Sequence, residues 1–302
     1  MTDRLPDFLI IGAQKAGTTT LFRDLETHPQ IAFGHHKEPH SLCYDSVLTP
    51  RGRRRYAAYF SRVGPGQICG EASTGYTRFP QFTGAAGRAR KVLGPDNHLL
   101  YIVRDPVDRA VSHHHHGYTD RDMPASIDEA VGADERLIAF GRYGMQLEPW
   151  LDRFSRDRLM ILVFEEYMSR RREGAAAAQA FLGVDPRPEL VTPEARHNAA
   201  EDRRATPALL RSITRSGYYS RVVRRWTPAP LRRSLARRLL PPAPPRPAPP
   251  SAETVERILE ATRADCQRIG ELLGRDGPPW DEDQTRERWR QRREAFTRGP
   301  AG

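Results

Sequence analysis

The chain is short of lysine, cysteine and long apolar runs. Only three of its 48 basic residues are lysines, Lys15, Lys37 and Lys91. It has three cysteines, Cys43, Cys69 and Cys266, an odd number with no C-x-x-C spacing. That pattern argues against a disulfide framework and a cysteine zinc site, and makes reduced thiols in a cytoplasmic setting the expectation. No run of 18 apolar residues occurs, so no membrane-spanning helix is expected. The opening "MTDRLPDFLIIG" has no basic n-region, because Asp3 and Asp7 interrupt it, and no signal peptide is expected.

Acidic residues are missing from one long stretch. From Arg203 to Ala252 there are twelve arginines and no Asp or Glu. That +12 exceeds the whole chain's +10, which leaves about −2 for the rest. The high net charge is therefore a property of one segment, and nucleic acid is not the expected partner. Residues 203–240 read as a basic amphipathic segment, suited to an anionic membrane surface or to a solvated flap. They are followed at 241–250 by "PPAPPRPAPP", seven prolines in ten residues, an extended tether. The expected organisation is one domain over 1–302, with 203–250 as an insertion and 281–302 as a charged helix or tail.

What is present is an alternation of short apolar runs and helical periods. "DFLII" (7–11), "QIAF" (30–33), "QICGEAST" (67–74), Leu99–Val103 and "DRLMILVFEEY" (157–167) read as strands. Between and after them, helices are predicted over 19–29, over "RGRRRYAAYFSRV", after Asp105 and Pro106, and over "GAAAAQAFLGV" with Gly183 as its stop. A further helix is predicted over Glu253–Leu273, its apolar positions packing back on the core. Strands alternating with helices predict an α/β fold: a P-loop-like three-layer arrangement with a mainly parallel central sheet.

Two strand-to-helix junctions carry the chemistry. "IIGAQKAGTTT" has Gly12 and Gly17 at the spacing of a phosphate loop, followed by Thr18, Thr19 and Thr20. Its lysine, Lys15, lies two residues before Gly17 rather than directly after it, so the loop departs from the nucleoside-triphosphate pattern G-x-x-x-x-G-K-[ST]. The amides of residues 16–20 at the helix start, with the lysine and hydroxyls, form an expected anion site. The second junction, "YIVRDPVDRAVSHHHH", puts Arg104 at a strand end, able to grip a phosphate in bidentate fashion, and Ser112 two turns into the following helix. Alternatively Arg104 simply pairs with Asp105 or Asp108. Of the four histidines, His113 and His116 could face a ligand; the run carries no metal-binding spacing. In "HHKEPHSLCY", Glu38 is a general-base candidate with His40 as the second choice. Glu71, in "GEASTGYT", is either a second site carboxylate or a structural partner of an arginine.

These segments, in order along residues 7–184, resemble the PAPS-dependent sulfotransferases (PAPS is 3′-phosphoadenosine 5′-phosphosulfate). The pattern is closest to the heparan-sulfate branch and its bacterial relatives. The resemblance implies that Gly12, Gln14, Lys15, Ala16, Gly17, Thr18, Thr19 and Thr20 hold the 5′-phosphosulfate. It implies that Arg104 and Ser112 hold the 3′-phosphate, that Lys15 and Glu38 are catalytic, and that no metal is needed. That branch often has a lysine directly after the glutamate equivalent to Glu71. Here Ala72 stands there, so a second active-site cation is either missing or supplied by an arginine. The implied reaction is sulfuryl transfer from PAPS to a hydroxyl of a carbohydrate, glycolipid or other hydroxylated small molecule, releasing PAP. Two other classes remain open at this stage: a P-loop small-molecule kinase, which would need a magnesium-holding acid, and a basic module binding membrane or nucleic acid through 203–240.

Overall fold

The structure, a computed structural model, describes residues 4–193 and 245–299. The basic segment 203–240 and the first four residues of the proline tether, 241–244, lie outside the described residues.

Five strands form one sheet: β1 (Phe8–Gly12), β2 (Ile31–Phe33), β3 (Ile68–Ala72), β4 (His98–Val103) and β5 (Leu159–Val163). Their spatial order is β2-β3-β1-β4-β5 and every pairing is parallel. Leu9 lies between Glu71 on β3 and Leu99 on β4, which fixes the central register. The helices are α1 (Thr18–Glu26), α2 (Pro50–Ala57), α3 (Ala85–Leu93), α4 (Pro106–Thr119), α5 (Ile127–Ala133), α6 (Arg136–Ala139), α7 (Tyr143–Leu151), α8 (Phe164–Ser169), α9 (Arg171–Phe181), α10 (Ala252–Leu272) and α11 (Glu282–Arg298).

The apolar runs become strands because both faces of the sheet are covered, so each strand needs apolar side chains on alternating sides. Leu9, Ile11, Leu99, Tyr101 and Val103 enter one core with Ala86 and Ala89 of α3, Tyr143, Leu147 and Trp150 of α7, and Ile269 of α10. Phe8, Ile10, Leu100 and Ile102 enter the other, with Leu21 and Leu25 of α1 and Ala175 and Ala178 of α9. This is the expected three-layer α/β fold. A third cluster, from Val107 and Ala110 of α4, Ile127 of α5, Ile258 of α10 and Trp289 of α11, ties the C-terminal helices to α4 and α5.

Three expectations change in detail. The fifth apolar run is a strand only to Val163; Phe164 then opens α8, with no glycine or proline to mark the turn. The arginine-rich helix α2 closes at Ala57 into a short 3-10 turn over Ala58–Phe60. The charged C-terminal segment is a 17-residue helix with Thr285 and Trp289 buried. Its Thr285 hydroxyl donates to Asp105 Oδ2 at 2.6 Å and Arg288 Nη2 reaches the same oxygen at 2.9 Å. Asp105 in turn caps α4, Oδ1 accepting from the Val107 and Asp108 amides at 2.9 and 3.0 Å. The last helix thus helps anchor the start of α4.

β1 lies between β3 and β4, so the chain leaves it towards one side of the sheet and returns on the other. Such a switch point opens a crevice at the carboxyl ends of the strands. Both motif-bearing junctions, β1–α1 and β4–α4, end there.

Candidate active site

A cleft of about 540 Å³ opens at this edge, lined by Gln14, Lys15, Gly17, Thr18, Thr19, Thr20, Lys37, Glu38, Arg104 and Ser112, together with Arg23, Thr74, Arg78, His116 and Phe164. The β1–α1 loop forms its floor. Gly17 precedes α1 with φ near 100°, a left-handed conformation, and no side chain caps that helix end. A Cβ on Gly17 would lie 2.4 Å from the Phe164 ring, so only glycine lets the loop pass this close. Ala16 N–H donates to Ala13 O and Thr20 N–H to Gly17 O, at 3.2 and 2.9 Å. The anion-facing amides therefore narrow from 16–20 to 17–19. Gly12 and Ala16 do not line the cleft. Gly12 backs onto Thr77, where a Cβ would fall 2.0 Å from Oγ1, and Ala16 is fully buried.

The two junctions meet. Arg104 Nη1 donates to the Lys15 carbonyl at 3.5 Å, and its guanidinium lies 4.9 Å from the Phe164 ring centroid. Its Nε is buried with no hydrogen-bond partner, as is Oε1 of Gln14. Asp105 is occupied by the α4 cap and by α11, and Asp108 by Arg288 and Arg292 at 3.0 and 3.2 Å. The alternative in which Arg104 pairs with either acid is not what the structure has. Ser112 and His116, one turn apart on α4, face the cleft. His113 does not: it is buried, stacked 5.6 Å from Phe140, and burial beside Arg109 and Lys15 pushes its pKa down to about 2. His114 bonds the Pro124 carbonyl.

Residues 85–230 match the family model described as the sulfotransferase domain. The matched span is just under half of the chain. It is 30% identical over 201 residues to mouse heparan sulfate glucosamine 3-O-sulfotransferase 6, covering 60% of this chain and 53% of that protein. It is 30% identical over 207 residues to the human bifunctional heparan sulfate N-deacetylase/N-sulfotransferase 3, covering 61% of this chain and 23% of that protein. The chain spans about half the length, or less, of the curated relatives it matches. A sulfotransferase from Alicyclobacillus acidocaldarius shares its fold with a TM-score of 0.63 at 23% identity, covering 95% of this chain and 99% of that one.

Within this sulfotransferase fold, Glu38 is the only carboxylate lining the cleft among the described residues, and it is surrounded by cations. Its backbone is left-handed, φ 60°, and its N–H donates to the Ala72 carbonyl at 2.8 Å. Lys37 Nζ lies 3.7 Å from Oε1, and His40 Nε2 and Arg78 Nη2 lie 3.4 and 3.7 Å from Oε2. Thr74 donates to Oε1 at 3.3 Å. Burial alone would raise the Glu38 pKa, but the His40 hydrogen bond and the Lys37 and Arg78 charges outweigh it and hold the carboxyl at about 2. Lys37 also reaches back to the loop, donating to Thr19 Oγ1 at 2.6 Å. Burial lowers the Lys37 pKa despite its acidic neighbour.

Lys37 stands in the "HHKEPHSLCY" motif beside Glu38, whereas no sequence motif marks Arg78 as a cleft cation. Arg78 follows the "GEASTGYT" junction after β3 and bonds Thr74, so a strand end next to the β1 loop was the available signal. Glu71 is not a site residue. It is fully buried, accepts from the Tyr56 and Tyr76 hydroxyls, and has its pKa raised by burial. Its partners are tyrosines, not an arginine. Among the described residues, no His/Cys/Asp/Glu group is arranged to hold a metal ion, and no helix is long and apolar enough to cross a membrane.

Proposed function

We propose that this protein transfers the sulfuryl group of PAPS to an acceptor hydroxyl and releases PAP. The observation that carries the reading is the charge of the cleft: Lys15, Arg23, Lys37, Arg78 and Arg104 face one carboxylate, Glu38. The amides of the first turn of α1 add partial positive charge. The polar atoms buried without partners at Gln14 and Arg104 are what a cleft built to close around a phosphorylated ligand leaves when viewed alone. Two basic elements of one cleft, the β1–α1 loop and the Arg104 and Ser112 junction, suit a donor with more than one anionic group.

In this reading Lys15 and the residue 17–19 amides hold the phosphosulfate, and Arg104 and Ser112 hold the 3′-phosphate. The acceptor oxygen attacks sulfur, the bond from sulfur to the bridging phosphate oxygen breaks, and the electron pair stays on that oxygen. Lys15 stabilises the charge developing there, a preorganised electrostatic role. Glu38 takes the acceptor's proton, with His40 held against it. A carboxylate at about pKa 2 is a weak base, but a bound polyanion competes for Lys37 and Arg78 and so raises it. Lys37 and Arg78 supply the second cation for which Ala72 leaves no side chain.

The test is calorimetric binding of PAP together with transfer of labelled sulfate from PAPS to a mixed pool of acceptors. Lys15→Ala is expected to lose roughly a hundredfold in rate. Full activity in that variant would sink its assigned role, and absence of both PAP binding and transfer would sink the reading. The kinase alternative predicts ATP turnover with magnesium and no tight PAP binding. It lacks an acid for the metal, since Glu38 is already engaged by Lys37, Arg78 and His40.

A further inference from the structure

The pairing of β4 with β5 ends at Val103, and side chains then take over the backbone. Tyr143, the first residue of α7, is fully buried, and its hydroxyl meets both peptide groups of Arg104. It donates to the Arg104 carbonyl at 2.6 Å and accepts from the Arg104 N–H at 3.3 Å. The next amide, Asp105 N–H, donates to Glu165 Oε1 at 3.1 Å. The other oxygen of Glu165 accepts from Trp280 Nε1 at 2.9 Å. The Trp280 and Tyr143 ring centroids are 5.8 Å apart.

Three residues from separate stretches of chain thus converge on one turn of backbone. Glu165 lies in α8, and Trp280 immediately precedes Asp281, the cap of α11. None of the three lines the cleft. The segment carrying Trp280 is fixed to α8 a second time, by Arg275, which donates to the two Glu166 oxygens at 2.6 and 2.8 Å. On the cleft side the Arg104 guanidinium is held more loosely. It has a 3.5 Å bond to the Lys15 carbonyl and the face of Phe164, and its Nε is buried without a partner. The direction in which this side chain leaves is set by its backbone, and its backbone is fixed from behind. A donor already in place leaves less ordering to be done when a phosphate binds.

Resting on the sulfuryl-transfer reading above, we propose that Tyr143, Glu165 and Trp280 are positioning residues for the 3′-phosphate of the donor, acting through Arg104. Loss of the Tyr143 hydroxyl frees both peptide groups of Arg104. Loss of the Trp280 N–H frees Glu165 to turn away from Asp105. The 5′-phosphosulfate belongs to the β1–α1 loop, to which none of the three is hydrogen-bonded, so the effect is confined to one end of the donor.

PAP and adenosine 5′-monophosphate differ only in the 3′-phosphate, so the ratio of their dissociation constants isolates it. Calorimetry on the full chain gives that ratio for wild type, Tyr143→Phe, Trp280→Phe and Glu165→Gln. The Tyr143 and Trp280 variants keep an aromatic ring and remove one hydrogen-bonding group. Each is expected to lower the preference for PAP by roughly three- to tenfold and to leave the monophosphate affinity unchanged. Glu165→Gln keeps an oxygen for the Asp105 amide and should lose less. In an Arg104→Ala background, Tyr143→Phe should lower the preference no further, because the residue it acts through is gone. An unchanged preference in both ring variants, equal losses for the two nucleotides, or a full further loss without Arg104 overturns the inference and leaves sulfuryl transfer standing. So does a wild-type protein that binds PAP no more tightly than the monophosphate but still transfers sulfate. Absence of both PAP binding and transfer overturns the inference and the reading together.

Discussion

Replacing Glu38 by glutamine separates binding from chemistry more sharply than any other single change. The substitution keeps the shape and removes one negative charge that lies 3.7 Å from Lys37 and Arg78 and 3.4 Å from the His40 ring. Two unit charges 3.7 Å apart, at the effective dielectric of about 20 that suits partly buried pairs, interact by ~4 kcal/mol. Lys37 and Arg78 would be freed from that attraction and become available to an anion. PAP should therefore bind Glu38→Gln as tightly as wild type or more tightly. Catalysis should move the other way. A positioned base contributes roughly 10² to 10⁴ in rate, and one as weak as this belongs near the lower end, so kcat should fall by about a hundredfold, or ~3 kcal/mol of barrier. The assay is calorimetric PAP affinity beside kcat at saturating PAPS. Weakened PAP binding that accounts for the whole loss of kcat/KM would refute the reasoning, as would an unchanged kcat. The same variant reports on stability. The folded pKa of Glu38, about 2, lies below its ordinary 4.5, so its contribution is present above pH 4.5 and lost as pH falls from 4.5 towards 2. The difference in urea midpoint between wild type and Glu38→Gln should be constant above about pH 5 and shrink in that acid window.

Other positions give independent checks. Arg104→Ala should weaken PAP binding by roughly ten- to a hundredfold, and Arg104→Lys should restore only part of it, because an ammonium cannot reproduce a planar fork; calorimetry of the three proteins decides this. Gly17→Ala places a methyl 2.4 Å from Phe164 at a φ of about 100° and should lower stability by ~1–3 kcal/mol in chemical denaturation, with part returned by adding Phe164→Ala. Asp24→Ala leaves Arg171 buried without the two carboxylate contacts it now makes at 2.7 and 2.8 Å, and removes the acceptor of the Tyr167 hydroxyl. Its expected cost is ~3–5 kcal/mol by urea unfolding, and a loss below 1 kcal/mol would mean that this pair does not pin α9 to α1.

The local chemistry was legible where a single stretch of chain contains all its parts. "IIGAQKAGTTT" and "YIVRDPVDRAVS" each hold the strand, the turn and the helix start that make an anion site, so Lys15, residues 17–20, Arg104 and Ser112 could be named from order alone. The parallel sheet was likewise readable, because strands covered on both faces are written as short uninterrupted apolar runs. The helices over 85–93, 127–133 and 143–151 were not, since α3 and α5 are small-residue helices and α7 contains Pro149.

What the sequence by itself supplied is the basis of the proposed ligand: two basic strand-to-helix junctions and a lysine displaced from the triphosphate pattern suit a doubly anionic donor. Three things were left to the tertiary structure. It brought Arg78 and Lys37, 41 residues apart, to the same carboxylate. It turned His113 into the core while leaving His116 in the cleft, because His116 lies one turn after the cleft residue Ser112, whereas His113, the chain neighbour of Ser112, is rotated about 100° round the helix. It also stacked His40 on Phe82, drawn from a different stretch of chain. Spacing along a chain encodes contacts made within one turn of backbone, whereas contacts across the sheet edge depend on how the layers pack, and only the folded chain contains that information.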